Sequence, residues 1–242
     1  WTDRYGMRVS STSIAASMFL VFYLVLGNAK VAFPTVIDPL TLYGDKIIFD
    51  VFRRDEQIGR HVVHFNRTEH ELLVSSRLKL SIDVFFITVY RFLYASEATW
   101  RLGVVDQINV EIDDNGDPFR FQARQRDGVL RIQSESGRAE FPGPLLPTNH
   151  WNASVLDANR ILNTLTGDVH EVRIVAEGRE LVATERGDVV ATKYAYSGEF
   201  ESEVWYDDQG RWVKMRFDGK DGVPIEYFCR RCQGPDVKSP LK

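Results

Sequence analysis

From Ile47 to Phe228 the chain alternates apolar and polar residues in short runs separated by turn-forming residues. Alternation with a period of two puts every second side chain on one face, the pattern of a strand half-buried in a sheet. Ile47, Phe49 and Val51 interleave with Ile48, Asp50 and Phe52, a strand with both faces partly covered. A turn at Asp55-Glu56-Gln57 leads back through Ile58–Arg67. Leu72, Val74, Ser76, Leu78, Leu80 and Ile82 then share one face, with Ser75, Arg77, Lys79 and Ser81 on the other. Val84–Arg101 is the most aromatic run. Tyr90, Phe92, Tyr94 and Trp100 have one parity and line one face of a long strand, opposite Arg91, Glu97 and Arg101. Ile108, Val110 and Ile112 continue the pattern into Asp114-Asn115-Gly116-Asp117, where Asn-Gly accepts the positive φ of a tight hairpin. Phe119, Phe121 and Ala123 return, and Asp127-Gly128 turns into Leu130 and Ile132.

The alternation stops at Phe141–Asp168. Pro142, Pro144 and Pro147 have no N–H to give a ladder, so the sheet is interrupted there. Asn152 is a good N-cap, and Val155, Ala158 and Leu162 fall at helical spacing, which predicts a short helix near 152–163 with Gly167 as its stop signal. Strands resume over His170–Ala176, Leu181–Thr184 and Val189–Ser197. Two hairpins follow, turning at Asp207–Gly210 and at Lys220-Asp221-Gly222, and the pattern ends with Ile225–Phe228. About a dozen short strands joined by hairpins predict an all-β fold. The expected form is an antiparallel meander making a strongly curved sheet or half-open barrel, with one helical insertion.

The 242 residues are of ordinary globular composition, and the net charge is −4. Arg4, Arg8 and Asp3 leave residues 1–29 at +1, so the remainder carries −5. An acidic body argues against nucleic acid and against electrostatic adhesion to anionic lipid. Near the start, Met7-Arg8 precedes an apolar run from Ile14 to Leu26 and the small residues Gly27-Asn28-Ala29. These are the parts of an export signal cut before Lys30. If retained, the same segment gives membrane contact through 14–33 as a single anchor. Either way the body is expected to be exported and periplasmic, soluble or tethered to the inner membrane. The expected organisation is a signal or anchor over 1–29, a linker over 30–44, one β domain over 45–228 and a tail over 229–242.

Few residues carry obvious chemistry. Asn149, His150, Trp151 and Asn152 sit together beside the prolines, and Asn163 and Thr164 close the same insertion. They are candidates for the lid or polar mouth of a ligand cavity, or for satisfying the backbone that a broken ladder leaves unpaired. Tyr90, Phe92, Tyr94 and Trp100 are candidates for the cavity wall, or for solid core. His61 and His64 lie three apart on a strand and so face opposite sides, which argues against a shared metal. Cys229 and Cys232 have redox-motif spacing but trail an all-β domain. Outside the cytosol they are candidates for a disulfide. The paired carboxylates at Asp113-Asp114 and Asp207-Asp208 fall in turns, where Asp is expected. No phosphate-binding glycine loop, nucleophile elbow or metalloprotease helix occurs, so no catalytic residue, metal or cofactor is expected.

Leu146-Pro147-Thr148-Asn149-His150-Trp151-Asn152, Asn163-Thr164-Leu165-Thr166-Gly167 and Trp205-Tyr206-Asp207-Asp208-Gln209-Gly210-Arg211 resemble the motifs of an uncharacterised family of bacterial exported proteins, a domain of unknown function. The resemblance spans roughly Lys46–Phe228 and implies no activity. More distantly, the acidic-turn hairpins look like those of periplasmic lipoprotein carriers, half-closed barrels around an apolar cavity. Three functions follow as expectations. The first is a non-enzymatic extracytoplasmic protein binding an apolar or amphipathic ligand. The second is a membrane-anchored accessory subunit of a larger membrane complex. The third is an enzyme with its site at His150.

Overall fold

The computed structural model describes residues 38–234, which fall in one compact unit. The segment expected as signal or anchor, and most of the expected linker, lie outside the described residues. Among the described residues no helix is long and apolar enough to cross a membrane.

A helical turn, α1 (Pro39–Tyr43), precedes the sheet, capped by the Asp38 carboxylate accepting from Leu40 N. The first half of the sheet comprises β1 (Lys46–Arg53), β2 (Glu56–Arg67), β3 (Leu72–Val84), β4 (Ile87–Arg101), β5 (Val104–Asp114), β6 (Asp117–Arg126), β7 (Val129–Ser134) and β8 (Gly137–Pro142). The insertion contributes β9 (Leu146–Pro147), a 3-10 helix (Ala153–Asp157) and β10 (Arg160–Leu162). The second half is β11 (Val169–Val182), β12 (Val189–Gly198), β13 (Ser202–Asp207), β14 (Trp212–Asp218) and β15 (Pro224–Arg231). All fifteen strands form one sheet in the order β8-β7-β6-β5-β4-β3-β2-β1-β15-β14-β13-β12-β11-β10-β9. Neighbours are antiparallel except β9 and β10, which run parallel. First and last strands meet at the centre, where β1 pairs with β15. The two free edges, β8 and β9, are consecutive in the chain, joined through Gly143–Leu145.

The sheet is not closed by hydrogen bonds, but it curls until distant strands touch. Four strands separate β5 from β15, yet Lys220 in the β14–β15 turn donates to Asp114 at the end of β5, 2.6 Å away. At the free edge, β9 packs against β5. Strand twist supplies the coiling, and register shifts in β1, β4 and β13 sharpen it locally.

The concave side holds the core. At one end, Tyr43 of α1 is buried among Phe65, Trp151 and Trp212. Its hydroxyl donates to the Trp151 carbonyl at 3.0 Å and accepts from Trp212 N at 2.9 Å. This one phenol satisfies two backbone groups that the sheet cannot reach. Phe49 packs tilted against Trp212, ring centroids 4.3 Å apart, and Trp100 packs edge-on against Trp151 at 4.9 Å. The insertion and α1 together plug this end.

The short helical insertion expected near 152–163 is present as a five-residue 3-10 helix, followed by a short strand. Ala158 is the C-cap of that helix, and Leu162 is a buried residue of β10. The expected linker ends in α1, whose Tyr43 is core. The expected tail begins inside the domain: Cys229 and Cys232 are buried, joined to each other by a disulfide, and Gly234 N donates to the Leu42 carbonyl.

Candidate functional site

Inside the curl lies a cavity of about 590 Å³. Three cross-strand pairs of the β3–β4 hairpin make one wall: Leu78 with Tyr94, Leu80 with Phe92, and Ile82 with Tyr90. Their common parity, legible in the sequence, aims all six inward. Met215, Phe217, Ile225 and Tyr227, on β14 and β15, make the facing wall. The lining is mostly apolar, and the volume suits a small molecule of some tens of atoms.

The floor is polar but uncharged. Ser76 and His61, from adjacent strands, meet with Oγ and Nε2 2.6 Å apart. His150 and Trp151, 4% and 2% exposed, come from the insertion, with Thr148, Asn149 and Thr164 beside them. The Tyr206 hydroxyl holds the His150 carbonyl at 2.8 Å, and the His150 ring packs on Trp212 and Tyr196. Burial lowers the pKa of His61 to about 4. Burial, with repulsion from His61 added, lowers that of His150 to about 3. Both imidazoles are therefore neutral at pH 7. Among the described residues, His61 Nδ1, His150 Nδ1, Asn149 Nδ2 and Trp151 Nε1 find no hydrogen-bond partner.

At the opposite end the cavity opens between turns. Lys220 reaches across to Asp114, whose other oxygen accepts from the Tyr90 hydroxyl at 2.8 Å. Arg53 is paired with Asp221 of the same β14–β15 turn. Two ion pairs thus fasten that turn over the mouth. The bond from Lys220 holds the Asp114 carboxyl below the usual carboxylate range.

Of the residues singled out in the sequence, Asn149, His150, Trp151, Thr164, Tyr90, Phe92 and Tyr94 reach the cavity. Trp100 does not: it is 3% exposed and packs on Trp151 outside the lining. Asn152 and Asn163 serve the backbone. Asn152 Oδ1 accepts from Ser154 N, and Asn163 Oδ1 from Leu165 N. The disulfide pair stands apart from the cavity, beside α1. Sequence reasoning missed the Ser76–His61 pair, Trp212 and the Lys220 clasp. His61 shares parity with Val63 and Gly59, a signal for an inward side chain. Nothing local marks Lys220, because its partner lies 106 residues away. Among the described residues no cluster of His, Cys, Asp or Glu has the arrangement to hold a metal.

Comparison with known proteins gives a family and a fold. A family model described as "Domain of unknown function (DUF6134)" matches residues 49–230. No curated protein matches the chain. Among solved structures, the chain is similar to a β-barrel-like protein of domain of unknown function DUF1849 from Brucella abortus. The TM-score is 0.57 at 12% identity, over 79% of this chain and 97% of that one. At that identity the likeness is one of fold.

Proposed function

The chain belongs to that family of domains of unknown function, and we propose that it is a non-enzymatic binding protein that works outside the cytoplasm. It holds an apolar or amphipathic small molecule inside the curled sheet. The observation that carries this reading is the cavity itself: about 590 Å³ left between apolar walls that could have packed together. A neutral floor favours a ligand whose deep end is uncharged, since a buried ion there would have no counter-charge. The hydrocarbon part lies against the β3–β4 ladder and the β14–β15 wall. The insertion closes the deep end, and the Lys220–Asp114 clasp borders the entrance.

A hydrolytic reading at the same floor has less support. Ser76 and His61 are within hydrogen-bond reach, but no carboxylate orients His61, whose Nδ1 is unpaired. Ser76 lies in mid-strand between β2 and β4, where ladder bonds occupy the backbone N–H groups that an oxyanion would need. His150 has no nucleophile bonded to its ring among the described residues. Export is supported by the signal-like N-terminus and the disulfide.

The test is titration with a fluorescent long-chain fatty acid. Saturable one-to-one binding is expected, weakened at least about tenfold, or about 1.4 kcal/mol, when Ile82→Trp and Met215→Trp fill the cavity from two walls. Absence of binding, or equal binding by the filled variant, would overturn the reading.

A further inference from the structure

The hairpin that forms the apolar wall does not end at the cavity mouth. On one side β2 accompanies β3 only as far as Leu80, and on the other β5 accompanies β4 only as far as Phe92. The Arg91 carbonyl still accepts from Asn115 N at 2.7 Å, and beyond it Ser81–Val84 and Ile87–Tyr90 pair only with each other along the ladder. Four residues at about 3.3 Å each project the tip roughly 13 Å past its neighbours. The projecting end is apolar: Val84, Phe85, Phe86, Ile87 and Val89 are all exposed, with Phe85 at 91% and Phe86 at 104%. The turn itself is unusual. Phe85 and Phe86 have φ of 49° and 70°, the left-handed pair that Asn-Gly ordinarily supplies. Two phenylalanines in that geometry carry a backbone cost that no intramolecular packing offsets.

We propose that the Val84–Ile87 tip is a membrane foot that dips into the interfacial layer of an electrically neutral or zwitterionic lipid bilayer and sets the cavity mouth against it. The inference builds on the ligand-binding reading by giving the ligand a source. Three observations choose lipid over a protein partner. The apolar residues stand at the end of a narrow finger with both edges free, a shape that penetrates a soft surface and presents little area to a flat one. Exposure rises along the same ladder that lines the cavity, from buried Leu78 and Tyr94, through half-buried Leu80, Phe92, Ile82 and Tyr90, to the fully exposed tip. Apolar surface is therefore continuous from the floor to the membrane side. Finally, the cations nearest the mouth and the tip are already neutralised among the described residues. Arg53 and Lys220 at the mouth are each bound to a carboxylate, and so is Arg91 on the hairpin itself. Attraction therefore comes from apolar and aromatic burial, as at other membrane interfaces.

The experiment is sedimentation with phosphatidylcholine vesicles. It compares the chain from Thr35 to Lys242, which has its own core, with the double variant Phe85→Asn, Phe86→Gly. That variant installs the residues a left-handed turn prefers, so the fold is retained, and a thermal melt verifies it. The parent is expected to bind vesicles equally at low and high salt, and the variant at least about tenfold more weakly. Fatty-acid affinity measured without vesicles should be equal in both. Failure of that last measurement in both proteins would sink the cavity reading and leave the foot standing. Lack of vesicle binding by the parent, or equal binding by the variant, overturns the foot. So does a monomer–dimer equilibrium abolished by the variant in the absence of vesicle binding, which would assign the tip to a second copy of the chain.

Discussion

The neutral floor gives a pH prediction whose size follows from the structure. In the unfolded chain His61 and His150 titrate near the ordinary value of 6.5; in the fold they do so at about 4 and about 3. Above pH 6.5 neither state takes up a proton at these positions and the pair is silent. As pH falls through 6.5 the unfolded imidazoles protonate while the folded ones cannot, so stability is lost. The loss grows until about pH 4 for His61 and about pH 3 for His150. At pH 5 each has crossed 1.5 pH units, worth about 2 kcal/mol each and about 4 kcal/mol together. That is a large share of a domain's usual 5–15 kcal/mol. With a urea slope of about 2–3 kcal/mol per molar, the midpoint should fall by roughly 1.3–2 M between pH 7 and pH 5. The variant His61→Gln, His150→Gln should lose most of that dependence, because its floor has nothing to protonate. Equal pH shifts in parent and variant would refute the claim that the cavity floor keeps two desolvated imidazoles uncharged.

Three further predictions test the frame around the cavity. Gly59→Ala should destabilise by about 2–3 kcal/mol or prevent folding, read as a lowered melting temperature, because a Cβ there would stand 1.9 Å from the Lys79 carbonyl oxygen. Lys220→Ala removes the clasp between β14–β15 and Asp114. It should change stability by less than about 1 kcal/mol while speeding both entry and exit of a fluorescent fatty acid in stopped-flow traces, and unchanged rates would show that the turn does not border the entrance. Replacing Cys229 and Cys232 by Ala should cost about 2 kcal/mol in chemical denaturation and leave fatty-acid affinity intact, since the disulfide closes only a short loop outside the cavity.

Much of the fold was legible because its strands obey parity. The inward set Leu78, Leu80 and Ile82 and the inward set Tyr90, Phe92 and Tyr94 could be read off separately, and the ladder pairs them one to one. Hairpins with Asn-Gly or Asp-rich turns were equally plain. What escaped was information that is not local. The β1–β15 pairing, which puts the first and last strands at the centre of the sheet, leaves no mark on either strand. Trp100 shares the parity of the cavity wall but lies beyond it, because the insertion brings Trp151 down against it. The helical spacing of Val155, Ala158 and Leu162 runs past the short helix, since Val155 is buried within it, Ala158 is its half-buried cap and Leu162 is buried in β10. The Phe85-Phe86 turn was passed over as strand, since neither residue is a turn former. That mismatch between residue type and backbone became visible only in the structure, and it is what points to the tip as a contact site.

The measurement that bears most directly on the central claim is tryptophan quenching by a brominated long-chain fatty acid. Trp151 and Trp212 line the cavity, whereas Trp100 and Trp205 do not. Saturable quenching at one equivalent, largely abolished by Trp151→Phe with Trp212→Phe and by the cavity-filling pair Ile82→Trp, Met215→Trp, is the predicted result. Quenching that never saturates, or that survives both changes, would mean that the molecule does not hold its ligand inside the curled sheet.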